Sequence, residues 1–267
     1  MRENRTYGSV RGGRQAFHLH NVYERSVEHA YSTVDMADFY IRTKQDVIDT
    51  VERLGFLPFF SNEIEGFSIE ENVDPKVYFG DEEGVWDWKG PVIQETGCAY
   101  GKFFRNKAVF ISRKWFPDFA NYRRDGYDFD ARVDDGIATY NEQYLYNIIA
   151  SRHSLLSKDA KVIGGYVKPR VKGQDQWEPR KGFDTTITRL QMQCYIITSN
   201  FEYEMDKNGN FYGWGIARYT TPEEFFGKKF TNHVYDRTPE ESKKRIIRHL
   251  KKILPGTSEA EIEHLLK

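Results

Sequence analysis

The sequence predicts an α+β fold, and three observations support that prediction. Apolar residues return at helical spacing in several segments, whereas other segments alternate in the way typical of strands around a turn at Asn208 and Gly209. Apolar residues make up 39% of the 267 residues and aromatic residues 15%, which is enough to build a sizeable core. A chain of this length forms one compact domain or two.

The chain begins with a segment that has no sustained periodicity. Residues 1–35 carry five arginines, and we expect them to form a basic N-terminal arm. A helix is predicted at 43–54, because Thr43 and Asp46 have the spacing of an N-terminal cap. Gly55 stands where such a helix would end.

Three further segments complete the first half. The β-branched and aromatic residues at 108–111 predict a strand. Pro117 is typical of the first turn of a helix, which predicts one at 115–122. Residues 127–136 are rich in acids and turn-forming residues, and they predict a linker between domains.

The second half has the pattern of a winged helix. Helices are predicted at 141–151, 157–163 and 184–193, and a hairpin at 195–219. Three helices followed by a hairpin are the order of that domain, whose third helix enters a DNA groove. We therefore predict tandem winged-helix-like domains with a β-hairpin wing and C-terminal helices. The predicted divisions are a basic arm at 1–35, an N-terminal winged-helix-like domain at 36–135, a C-terminal winged-helix domain at 136–230 and a helical tail at 231–267.

Charge is distributed unevenly along the chain although its net value is only −1. Residues 60–90 hold nine acidic residues against two lysines, so the face that they form should repel nucleic acid. Residues 102–124 hold seven basic residues against one aspartate. A polyanion must therefore be met by a local basic surface, and this stretch is the first candidate for it.

The predicted partner is double-stranded DNA. Arginines and lysines beside aromatic side chains neutralise phosphates and stack on bases, and hydroxyl groups on a third helix suit groove contact. The alternative for 102–124 is an amphipathic surface helix whose aromatic residues belong to the core. The residues predicted to contact DNA are Arg113, Lys114, Arg123, Arg124, Lys181, Thr185, Thr186 and Arg189.

Other classes of site receive little support. Cys98 and Cys194 are too far apart in sequence for a zinc clip, and we expect no metal and no other cofactor. The aspartates between 128 and 135 predict salt bridges with nearby arginines, with a cation site as the alternative. Neither a signal peptide nor an apolar stretch long enough to span a membrane is found, so we expect a cytoplasmic protein that does not bind membranes. The oligomeric state stays open.

Several segments together resemble a known family. They are 47–57 (VIDTVERLGFL), 108–124 (AVFISRKWFPDFANYRR), 182–191 (GFDTTITRLQ) and 212–219 (YGWGIARY). These segments are similar to those of the AlkZ/YcaQ-type winged-helix DNA glycosylases and their AlkZ-related offshoot. The resemblance implies DNA binding in a basic cleft and metal-independent excision of alkylated or crosslinked bases, as part of DNA repair.

The resemblance also implies a catalytic motif, Gln-x-Gln or Gln-x-Asp, that holds the attacking water. The corresponding residues here are Pro58, Phe59 and Phe60, whose side chains cannot hydrogen-bond a water molecule. The nearest polar substitutes are Asn62 and Glu63. Gln191 and Gln193 also match the Gln-x-Gln pattern, but they lie in the predicted third helix of the second half, far from the position of the motif. We therefore expect their side chains to hydrogen-bond backbone groups or phosphate.

Two functions of different classes follow, and enzymatic activity stays open between them. The protein is either a DNA glycosylase, which cleaves the N-glycosidic bond, or a catalytically silent winged-helix module with a DNA-binding or regulatory function. A third possibility is a scaffold that binds proteins through its aromatic surface.

Overall fold

The computed structural model describes residues 39–80, 83–167, 178–227 and 232–267. The predicted basic arm at 1–35 lies outside these ranges, and so does the segment 168–177, part of a basic stretch before the third helix of the second half.

The first half begins with the predicted helix. Thr43 and Asp46 form a reciprocal cap, because the Thr43 hydroxyl accepts from the Asp46 N–H and the Asp46 carboxylate accepts from the Thr43 N–H. Gly55 ends the helix with φ of 79°. The elements of this half are α1 (Lys44–Leu54), β1 (Phe56–Pro58), α2 (Ile69–Asn72), α3 (Pro75–Phe79), α4 (Val85–Thr96), β2 (Ala99–Phe104), β3 (Lys107–Ile111) and α5 (Phe116–Arg124). The predicted strand at 108–111 and the helix at 115–122 are therefore confirmed.

The second half contains the predicted three helices and hairpin, which are also confirmed. Its elements are α6 (Phe129–Asp134), α7 (Tyr140–Ala150), β4 (Ser154–Leu156), α8 (Ser157–Ile163), α9 (Phe183–Met192), β5 (Ile197–Met205), β6 (Phe211–Thr220) and α10 (Pro222–Phe226). A short 3-10 helix at Asn232–Tyr235 leads to the C-terminal helices α11 (Pro239–Ile253) and α12 (Glu259–Leu265).

The turn-rich structure predicted for 127–136 is wrong for residues 129–134, which form helix α6, while the role of the segment as a linker stays a prediction. Asp128 caps the helix by accepting a hydrogen bond of 2.8 Å from the Ala131 N–H. Phe129 anchors it, since its ring stacks on Tyr146 with the ring centroids 3.7 Å apart. One cap and one buried aromatic side chain thus hold a helix whose other residues are mostly charged.

The six strands of the described residues form one antiparallel sheet with the order β1-β3-β2-β5-β6-β4. The two halves of this order are symmetric. In each half a three-residue strand, β1 or β4, pairs with the second strand of the hairpin, β3 or β6. The pairing of Tyr100 with Thr198 joins the two hairpins in the middle of the sheet. The two halves therefore share one strand arrangement and are joined through β2 and β5.

The buried residues form two clusters. The larger cluster combines residues between 39 and 120 with the C-terminal helices, which contribute Ile246 and Leu250 among others. The smaller cluster lies in the second half and includes Leu145, Ile187 and Leu190. The division into domains stays a prediction, and it places its boundary near the beginning of the smaller cluster. Of the helices in the described ranges, none combines the length and the apolarity that a bilayer crossing demands.

Candidate nucleic-acid interface

Helix α9 is the predicted groove-entering helix, and its two faces differ. Thr185 and Arg189 are exposed, as is Lys181 just before the helix. Thr186 is only 6% exposed and lies on the side of the buried Ile187. Since an enclosed hydroxyl cannot reach a base edge, we remove Thr186 from the set of residues proposed to contact DNA.

The hairpin of the first half lies beside α9. The buried Gln191 side chain accepts a hydrogen bond of 2.7 Å from the Lys102 N–H. The Lys102 ammonium donates to the Thr188 hydroxyl at 3.3 Å, and the Asn106 N–H donates to the Met192 sulfur at 3.3 Å. The basic stretch 102–124 and the third helix of the second half therefore meet in space, at Lys102.

Arg189 and Gln193 share one carboxylate. Glu142 is 1% exposed, its carboxylate lies 3.5 Å from the Arg189 guanidinium, and it accepts a hydrogen bond of 3.2 Å from Gln193. Burial alone would raise the pKa of Glu142, but hydrogen bonds from Thr139 and the charge of Arg189 outweigh burial and lower it. The exposed guanidinium of Arg189 is thus held in place by a carboxylate that stays ionised.

Two arginines of the basic stretch point inward instead of into a cleft. Arg124 is 2% exposed, and its guanidinium donates to Glu223, to the Tyr235 hydroxyl and to the Cys194 carbonyl. Arg123 donates to the carbonyls of Met192, Leu266 and Lys267 at 2.6, 2.8 and 3.1 Å. Arg124 is too enclosed to reach a phosphate, so we also remove it from the proposed set. For Arg123 and Arg124 the predicted salt bridges with the aspartates between 128 and 135 are wrong, because backbone carbonyls and Glu223 take up their guanidiniums instead.

Arg113 and Lys114 are exposed, but they follow the far end of β3 from the hairpin turn. The neighbouring Trp115 ring stacks on His249 with the centroids 4.2 Å apart, and the Arg245 guanidinium lies 5.8 Å from the Trp115 centroid. Burial lowers the pKa of His249, and repulsion by Lys114 and Lys252 lowers it further. A second cationic surface, formed by Lys114, Arg245 and Lys252, therefore lies beside this stacked pair, with Arg245 also paired to Asp118 at 3.1 Å.

The positions that correspond to the family's catalytic motif are apolar and largely buried. Pro58 and Phe59 are buried and Phe60 is partly buried. The Asn62 amide donates to the Phe67 carbonyl at 2.8 Å and accepts from the Ile64 N–H at 2.9 Å, so it holds a turn. Glu63 pairs with Arg105. Neither of these polar substitutes is free to position a water molecule.

The sequence interpretation missed the surroundings of α4. Lys89 extends from this helix towards three aromatic rings, those of Phe59, Trp86 and Phe201, with Nζ 5.8, 5.1 and 4.3 Å from their centroids. The sequence shows a single lysine directly after Trp-Asp-Trp, but the stretch 60–90 was interpreted only from its acidic residues.

No metal centre is evident in the part of the chain that the structure describes, where no three His, Cys, Asp or Glu side chains are grouped to hold an ion. Asp128, one of the aspartates considered for a cation, caps α6 instead.

The comparisons with known proteins give one match. A family model described as AlkZ related matches residues 41–267. No curated protein and no solved structure matches the chain.

Proposed function

The chain belongs to the AlkZ-related family, and from that premise we propose that it binds double-stranded DNA in the manner of a DNA glycosylase. The proposed contact surface is the exposed face of α9 together with the adjacent β2–β3 hairpin. Lys102, Lys181, Thr185 and Arg189 would make the contacts. Alkylated or crosslinked bases are the lesions that the family resemblance favours.

The order of elements supports this proposal. In the second half, α7, β4, α8 and α9 precede the β5–β6 hairpin, and β4 pairs with β6. In the first half, α1, β1 and three further helices precede the β2–β3 hairpin, and β1 pairs with β3. Apart from one additional helix in the first half, the two orders agree, and they support the interpretation of α9 as the third helix of a second winged helix.

The contact between Lys102 and Thr188 carries the proposal. It brings a hairpin of one half against the third helix of the other, so that cations from distant parts of the sequence share one surface. The second cationic surface, with Arg113 beside it, begins beyond the opposite end of β3. Strand geometry places it about 15 Å from the hairpin end. It would contact phosphates farther along the duplex.

Removing cations from the α9 surface tests the proposal. We expect Lys102→Ala with Lys181→Ala to weaken duplex binding and to reduce the slope of log affinity against log salt by about 2, because each lost phosphate contact removes about one released counterion. Fluorescence anisotropy of a labelled duplex at several salt concentrations measures this slope.

Lys76→Ala is the matched control, since Lys76 is an exposed lysine on the acidic stretch 60–90. Its slope should equal that of the wild type. If the double variant binds as the wild type does, or if the wild-type affinity does not fall with salt, the proposed surface is refuted; salt-independent behaviour would favour the protein-binding scaffold.

A catalytically silent DNA-binding module is the second candidate. It is favoured because Asn62, Glu63, Gln191 and Gln193 each have a structural partner and because Pro58 and Phe60 stand at the polar positions of the motif. Incubation with duplexes that carry alkylated purines or crosslinks separates the two candidates. Release of the base as an abasic site supports the glycosylase, whereas salt-dependent binding without release across the panel supports the silent module.

A further inference from the structure

Lys89 is a lysine in unusual surroundings. Its side chain is partly buried, and three aromatic rings from α4, β5 and the segment after β1 surround the ammonium. Within the described residues, no carboxylate, hydroxyl or carbonyl hydrogen-bonds its Nζ. The ring faces attract the ammonium form, whereas burial favours the neutral amine. When the amine is neutral it is a candidate nucleophile, because no hydrogen bond in the described surroundings occupies its lone pair.

The rings next to Lys89 continue outward to solvent. Trp86 packs on Phe59 and Phe60 with ring centroids 4.9 and 5.9 Å away, and Trp214 of the β5–β6 hairpin meets it edge-on at 5.8 Å. Trp214 is 61% exposed. An exposed aromatic surface of this kind suits stacking by a nucleobase or an extruded nucleotide.

Among the described residues, Asp87 supplies the charge that acts on Lys89. The Asp87 carboxylate accepts from the Tyr203 hydroxyl at 2.8 Å and from the Gly84 N–H at 3.1 Å, so it is fixed by both α4 and β5. Burial and the Asp87 carboxylate raise the pKa of Tyr203, and the nearby Glu83 raises it further. The Tyr203 phenol therefore stays neutral. Asp87 favours the ammonium form of Lys89, but burial outweighs it and lowers the pKa of Lys89 to about 8.

We propose that Lys89 is the nucleophile of an abasic-site lyase, forming an imine with the aldehyde carbon of a deoxyribose that has lost its base. This inference rests on the proposed DNA binding and supplies a chemistry that does not need the missing water-holding residues. Lys89 belongs to the acidic stretch 60–90, so the abasic strand would reach it over the exposed Trp214 of the β5–β6 hairpin and not over the acidic side chains. The substrate class is DNA with an abasic site, whether made by this protein or by another base-excising activity.

The reaction balances with the groups present. The neutral Nζ adds to C1′ of the ring-opened sugar, and the former aldehyde oxygen leaves as water when the C=N bond forms. The imine acidifies the C2′–H bond. A water molecule takes that proton, and the electron pair forms the C2′=C3′ bond as the 3′ phosphate leaves. Hydrolysis of the imine then returns the amine, so no oxidant or reductant is consumed.

Reductive trapping tests the proposal. A duplex with a single abasic site is incubated with the full-length protein and sodium borohydride, which reduces an imine to a stable covalent adduct. We expect an adduct with the wild type and its loss to background in Lys89→Arg, because a guanidinium is not neutral at these pH values. Lys76→Arg, an exposed lysine in the same half, is the matched control and should give the full adduct.

Peptide mapping of the wild-type adduct makes the result independent of whether the variant folds. Modification at Lys89 blocks tryptic cleavage there and leaves one peptide that spans 77–102 and carries the sugar remnant. Adduct formation should rise about tenfold per pH unit up to about 8 and then level off, whereas an ordinary lysine would give a continued rise to pH 9.

Duplex retention is measured on the same samples, so that two failures can be told apart. Salt-dependent binding without an adduct, or an adduct that maps to another amine, overturns the role of Lys89 and leaves the proposed DNA binding standing. Absence of binding overturns both.

Discussion

Replacing Arg124 with alanine is expected to lower the free energy of unfolding by about 3 kcal/mol. The guanidinium is almost fully enclosed, and it joins Glu223 of α10, Tyr235 of the 3-10 helix and the carbonyl of Cys194 after α9. Its removal leaves these acceptors without their donor and opens a cavity between elements that are far apart in sequence. Urea denaturation followed by circular dichroism measures the loss.

The neighbouring arginine provides the control for that experiment. Arg123 bonds only backbone carbonyls and is partly exposed, so water can replace it, and Arg123→Ala should cost about 1 kcal/mol. Arg124→Lys should recover little of the loss, because one ammonium cannot serve three acceptors that the planar guanidinium reaches together. Equal losses in the two alanine variants would contradict the structural role assigned to Arg124.

The second large effect is expected at Gly55. A Cβ added there would lie 2.3 Å from Cδ1 of Trp115, and the residue has φ of 79°, which disfavours any side chain. Backbone strain of about 1 kcal/mol and displacement of a packed indole together predict a loss of about 3 kcal/mol for Gly55→Ala. The displaced ring would also leave its stack with His249 and its contact with Phe56.

Gly97 separates the two contributions to this loss. It ends α4 with φ of 64°, as Gly55 ends α1, but an added Cβ would meet no atom within 4 Å. Gly97→Ala should therefore cost only the backbone strain of about 1 kcal/mol. If urea denaturation gives the same loss for both variants, the contact with Trp115 does not determine the cost at Gly55.

Features that depend on neighbouring residues could be predicted from the sequence. The cap of Thr43 with Asp46 and the turn at Asn208 and Gly209 were found because the interacting groups lie within a few positions of one another. Helix α4 was not predicted, and it contains Gly90 and Pro91, two residue types that usually interrupt helices. The structure explains Gly90, since an added Cβ would lie 2.6 Å from the Asn200 side chain of β5.

The candidate site could be predicted only in part, because exposure is decided by tertiary packing. Arg113 and Arg124 belong to the same basic stretch, yet one is exposed and the other buried. Thr185 and Thr186 are adjacent in α9, yet the first is exposed and the second buried. The surroundings of Lys89 combine residues 59, 86 and 201, and no local pattern relates positions so far apart.

Site-directed crosslinking tests the central claim, that α9 faces the duplex, most directly. The chain has two cysteines, Cys98 and Cys194, and both are buried, so a cysteine introduced at 185 is an accessible and distinctive thiol. A duplex that carries a thiol tether on a base in the major groove should form a disulfide with Thr185→Cys. Lys76→Cys, on the acidic stretch, should not form one. Crosslinking of Lys76→Cys as readily as Thr185→Cys, or no crosslink at 185 under conditions in which the duplex is bound, would contradict the claim.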